Sequence, residues 1–89
     1  MKIESIRPVF VEFIPEVLEE GILYLSLEFS TTTHLCYCGC KEKVVLPINP
    51  TQWTLTMDKE LISLSPSIGS WSLKCKSHYY ITNNRVIWL

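Results

Sequence analysis

With 89 residues the chain has room for one hydrophobic core, and a protein of this size buries only about 60–65% of the surface its unfolded form exposes. A composition 47% hydrophobic and 19% charged excludes a disordered segment. A net charge of −1 excludes the broad basic field that draws proteins to nucleic acid or to an acidic membrane. The longest apolar run, Gly21 to Leu27, is far short of a membrane span. Met1 to Arg7 alternates polar and apolar residues up to Pro8, unlike a secretory leader, so the cytoplasm is the expected compartment.

In chain order, extended segments dominate. Val9 to Phe13 is β-branched and aromatic and stops at Pro15; Glu16 to Glu20 offers one helical turn before Gly21. Ile22 to Phe29 reads as a strand with little polarity on either face. Thr31–Thr33 leads into a cysteine cluster, and Lys43 to Leu46 is a short strand ended by Pro47. Trp53 to Met57 alternates cleanly, Asp58–Glu60 turns the chain, and Leu61 to Leu64 returns. Pro66 to Gly69 reads as a loop. His78 to Thr82 and Arg85 to Trp88 flank Asn83–Asn84, a pair that tolerates the positive φ of a two-residue hairpin turn. The expectation is one all-β, or nearly all-β, domain over 1–89, with six or seven short strands built largely from hairpins and stabilised by zinc.

The cysteines carry the metal argument. Cys36, Cys38 and Cys40 alternate within five residues, and Cys75 stands three residues before His78. Zinc takes four tetrahedral ligands from thiolate and imidazole, usually two from each of two separated segments. Cys36, Cys38, Cys40, Cys75 and His78 are therefore five candidates for four places on Zn2+. Cys-x-Cys-x-Cys is not the commoner Cys-x-x-Cys spacing, and a turn at Gly39 would point any two of the three inward. In a reducing compartment such a cluster binds metal more often than it forms disulfides, and no usual iron–sulfur spacing is matched. Lys41, Lys43, Lys74 and Lys76 bracket both halves; they either offset the charge of a thiolate-rich centre or are ordinary solvated surface.

Four ordered stretches carry a resemblance: His34-Leu-Cys-Tyr-Cys-Gly-Cys40, Pro47-Ile-Asn-Pro-Thr-Gln-Trp53, Ser63-Leu-Ser-Pro-Ser-Ile-Gly-Ser-Trp71-Ser72 and Cys75-Lys-Ser-His-Tyr79. Together they resemble a bacterial domain family of unassigned function, over nearly the whole chain. The resemblance implies a setting beside ubiquitin-like proteins, ThiF-type activating enzymes and conjugating-enzyme-like proteins, in gene clusters thought to act against phages. One branch of that family lacks histidine at the position of His34, which weakens His34 as a ligand. Many relatives carry a second glycine where this chain has Lys41.

Two functions follow as expectations. The first is a zinc-binding accessory domain that docks on a protein partner of a ubiquitin-like conjugation system, with no nucleic acid and no membrane involved. The second is a small serine-type peptidase or isopeptidase that processes or removes the ubiquitin-like protein. Ser77 and His78 are adjacent and would point to opposite faces of a strand. His34 with Ser67, in the 63–72 region, is the expected catalytic pair. Trp53 and Trp88 sit in alternating strands and are expected to fill the core, whereas Trp71, beside Gly69, is the candidate for a protein-binding surface.

Overall fold

A computed structural model describes residues 3–49, 51–69 and 77–89. Eight strands form two four-stranded sheets. The first sheet holds β1 (Arg7–Phe10), β2 (Ile22–Ser26), β3 (Thr31–Leu35) and β4 (Lys43–Pro47), in chain order. The second holds β5 (Thr54–Asp58), β6 (Leu61–Gly69), β7 (His78–Thr82) and β8 (Arg85–Trp88), again in chain order. β1 and β2 pair in parallel, and every other pairing is antiparallel.

Local chemistry explains the hairpins. Asn83 and Asn84 both adopt positive φ, at 48° and 64°, which matches the twist a two-residue turn must carry between β7 and β8. The Asn84 side chain also accepts from the Ile62 amide at 2.8 Å and donates to the Glu60 carbonyl at 2.9 Å. That side chain ties one hairpin to the next. Glu4–Ile6 covers the outer edge of β8, where the Val86 amide donates to the Glu4 carbonyl at 2.8 Å and Ile6 donates to Asn84 at 2.8 Å.

The core lies between the sheets. Leu23, Leu25 and Leu46 from the first meet Ile62, Leu64, Ile68, Tyr79, Ile81 and Val86 from the second. Along β6 and β7 buried residues alternate with more exposed ones, the signature of one face turned inward. All five residues of β2 are buried, which accounts for its lack of polarity on either face. Its one polar residue there, Ser26, donates to the Glu12 carbonyl at 2.8 Å. Trp53 and Trp88 pack against this core, as expected from their strands.

The architecture is all-β, but it differs from the expected elements in five places. The first strand is Arg7–Phe10 rather than the expected Val9–Phe13, and the chain bends at Glu12–Phe13. Thr31–Leu35 is a full strand, the eighth; its threonines are β-branched and pair with β4, so polarity concealed a good strand former. The expected strand from Ile22 ends at Ser26, because the chain turns through Leu27–Ser30 with Ser30 at φ 49°. Glu16–Glu20 forms no helical turn; the chain bends at Glu16–Val17 and turns at Glu20. Residues 66–69 belong to β6 rather than to a loop.

Candidate functional site

Between β3 and β4 the chain reverses in a tight turn that carries three of the cysteines. The Cys36 amide donates to the Glu42 carbonyl at 2.7 Å, and the Gly39 amide donates to the Cys36 carbonyl at 3.2 Å. Gly39 has φ 95° and Lys41 has φ 64°, so two left-handed residues let the turn close. The sulfurs of Cys36, Cys38 and Cys40 then lie within 4.8 Å of one another. Ligands on one tetrahedral zinc, with bonds of about 2.3 Å, stand about 3.8 Å apart, and Cys36 and Cys38 Sγ are 3.6 Å apart. The cluster is compatible with a metal ion. It runs from the buried Cys36 through half-buried Cys38 to exposed Cys40.

Next to the cluster is a buried aromatic group that joins the sheets. His34, on β3, is 0% exposed, and its Nε2 lies 2.7 Å from the hydroxyl of Tyr79 on β7. Tyr37 stacks on the imidazole with centroids 4.3 Å apart. Burial lowers the His34 pKa to about 3, so the ring is neutral in the fold. Its Nδ1 is buried without a hydrogen-bond partner among the described residues. The Tyr79 hydroxyl also neighbours Cys36; burial first, then that thiol, raises its pKa, and burial raises that of Tyr37.

A second polar pair sits in the other sheet. Ser67 Oγ lies 2.7 Å from His78 Nε2 in a half-buried setting. Register explains how two residues eleven apart meet there. β6 pairs Leu64 with Ile81 and Ile68 with Tyr79. It therefore spends residues 65–67 where β7 spends only Tyr80, which makes a bulge with Ser67 as its last residue. Bulges re-aim side chains and are over-represented beside active sites. Gly69 stands directly opposite His78, so no side chain blocks the imidazole from leaning across to Ser67.

The expected site residues are thus distributed differently. Ser67 is bonded to His78 and not to His34, whose Nε2 is taken by Tyr79 and whose ring is enclosed. The difference is one of layers, because His34 belongs to the first sheet and is sealed into the core. His78, expected among the zinc ligands, lies outside the group formed by Cys36, Cys38 and Cys40 among the described residues. Cys75, Lys74, Lys76 and Trp71 lie outside the described residues. Asp58, the only aspartate, stands at the β5–β6 hairpin tip, about 20 Å along β6 from Ser67. Sequence reasoning missed Tyr79 and Tyr37 as partners of His34. The available signal was that both tyrosines flank the cysteine and histidine motifs.

Fold and site together define a small two-sheet β protein that joins a thiol-lined turn to a serine–histidine pair on the facing sheet. The family described as bacterial ubiquitination-like system serine protease (BubE) matches residues 10–89, and the chain belongs to it. Membership implies a role in a bacterial ubiquitination-like system. No curated protein and no solved structure matches the chain. Among the described residues no helix is long and apolar enough to cross a membrane.

Proposed function

We propose that this chain is a serine peptidase of a bacterial ubiquitin-like conjugation system, with Ser67 as nucleophile and His78 as its general base. The observation that carries the reading is the 2.7 Å contact between Ser67 Oγ and His78 Nε2. The description of its family as a serine protease supports it. In the tautomer with hydrogen on Nδ1, the serine hydroxyl donates and Nε2 accepts, which is the arrangement base catalysis requires. The hydroxyl proton passes to Nε2 as Oγ bonds to the scissile carbonyl carbon. The C–N bond then breaks, and the imidazolium returns that proton to the leaving amine. Water, deprotonated by the same imidazole, cleaves the acyl-enzyme and restores Ser67.

The metal in this reading is structural. Cys36, Cys38 and Cys40, with Cys75 as the remaining candidate, would hold Zn2+, the ion supplying cross-linking energy to a small fold. The imidazole of His78 then serves the serine, since Nε2 cannot accept a proton and ligate an ion together. The substrate is a ubiquitin-like protein, matured or released in the cytoplasm, and the anti-phage setting is the one the family resemblance implies.

The test is cleavage of a ubiquitin-like protein from such a system, carrying a C-terminal reporter. Wild-type chain should cleave at the tail, and Ser67→Ala and His78→Gln should each lose about 10³-fold or more. A fluorophosphonate probe should label Ser67, read by peptide mass spectrometry. No cleavage and no labelling by an intact, metal-loaded sample would sink the proposal. The thiol turn favours a second reading, a non-catalytic metal module that docks on a conjugation protein. On that reading Ser67→Ala leaves partner binding and every cellular readout unchanged.

A further inference from the structure

Among the described residues no strand pairs with the edge of β6 beyond β5, beside Ser67. β5 pairs with β6 only from Asp58↔Leu61 to Thr54↔Ser65, whereas β6 continues to Gly69. On the other side β7 follows β6 to the end, through Ile68↔Tyr79 and Gly69↔His78. The direction of the Gly69 peptide groups follows from the neighbouring ladder. The His78 carbonyl accepts from the Leu89 amide at 3.1 Å, so the His78 backbone faces β8 and turns away from β6. Gly69↔His78 is therefore a non-hydrogen-bonded pair, and the N–H and C=O of Gly69 point away from β7, toward the row that β5 occupies further along. Among the described residues no strand lies against them there, and Gly69 is exposed.

We infer that the substrate main chain docks as an added strand in that row, collinear with β5 and hydrogen-bonded to the N–H and C=O of Gly69. This rests on the peptidase reading of Ser67 and His78. The occupant is an extended peptide because three features favour one. These backbone groups, unpaired among the described residues, lie two residues, about 7 Å, from the nucleophile, the span between a scissile carbonyl and a nearby subsite. Glycine at the edge admits a second backbone at close range. The opposite edge of the sheet is already covered by Glu4–Ile6, so strand addition has this end of the sheet to use. Recognition through main-chain groups reads an extended tail by its conformation and tolerates varied side chains.

N-methyl scanning tests this directly. A fluorescein-labelled decapeptide, copied from the C-terminal tail of a ubiquitin-like protein of such a system, is titrated against the Ser67→Ala chain by anisotropy. This readout needs no turnover, so it separates failure of docking from failure of catalysis. The expected result is that N-methylation at the residue facing Gly69 raises Kd about three- to ten-fold while its two neighbours change nothing. The Gly69 amide should also exchange with solvent at least about ten-fold more slowly in the saturated complex. Gly69→Ala, which keeps the amide, should retain the N-methyl pattern even where affinity falls. Equal tolerance of N-methyl groups at every position, or an unprotected Gly69 amide at saturation, would overturn the inference. Cleavage of the reporter fusion together with that result would leave the peptidase reading standing without this docking mode.

Discussion

Replacing Tyr79 by phenylalanine isolates the polar bond between His34 on the first sheet and Tyr79 on the second. The ring and its packing beside Trp88, with centroids 4.9 Å apart, are kept, and only the hydroxyl is removed. That hydroxyl is 2.7 Å from His34 Nε2, and among the described residues His34 Nδ1 already lacks a partner. The substitution therefore leaves a fully buried imidazole with neither nitrogen bonded. A buried polar group so stranded costs about 1–3 kcal/mol, so a loss of about 2 kcal/mol is expected. With a urea m-value of about 1 kcal/mol/M, the unfolding midpoint falls by about 2 M while m stays unchanged. The cycle partner is His34→Leu, in whose background Tyr79→Phe should cost less than about 0.5 kcal/mol. Urea unfolding of the four proteins followed by tryptophan fluorescence measures both. A single-mutant cost under about 0.5 kcal/mol, or equal costs in the two backgrounds, would refute the assignment of this bond as an inter-sheet tie. The effect also bears on the site, since Tyr79 and His78 are consecutive residues of β7.

Other outcomes follow from the same geometry. His34→Gln should lower stability yet leave kcat of the folded fraction within about three-fold of wild type in the reporter cleavage assay, because the proposed base is His78. A loss comparable to that of His78→Gln would transfer the role to His34. Lys41→Gly should stabilise the chain by about 0.5–1 kcal/mol in urea unfolding, since a non-glycine residue at φ 64° is strained and its ion pair with Glu20, at 3.8 Å on the surface, contributes little. Elemental analysis after purification without added metal should find one equivalent of zinc. Stripping it with a strong chelator should lower Tm by more than about 10 °C, and Cys36→Ser should approach the same loss with the metal present.

Much of this was legible in the residues. The absence of a ten-residue helical period, the alternation in Trp53 to Met57 and the Asn83–Asn84 pair sufficed for an all-β reading with a positive-φ turn. Such signals are local, since period and turn chemistry act over a few residues. The crowding of Cys36, Cys38 and Cys40 was local too, and a tight turn brings their sulfurs together. The Lys41 backbone, at φ 64°, adopts a left-handed conformation that glycine takes without strain.

Which histidine meets Ser67 was decided only by the tertiary structure. Spacing from Cys75 points to His78 as a zinc ligand and leaves His34 as the expected partner of Ser67, whereas the fold sets Ser67 against His78. Sheet assignment is the reason: His34 lies on the first sheet against Tyr79, whereas His78 lies on the strand beside β6. The bulge at 65–67 then turns Ser67 toward it, and a register shift of this kind depends on two strands pairing rather than on either alone. The sequence by itself determined the β-class, the Asn83–Asn84 turn and the thiol cluster, because short-range chemistry sets them. The partner of each titratable side chain depended on long-range pairing, which no single segment encodes.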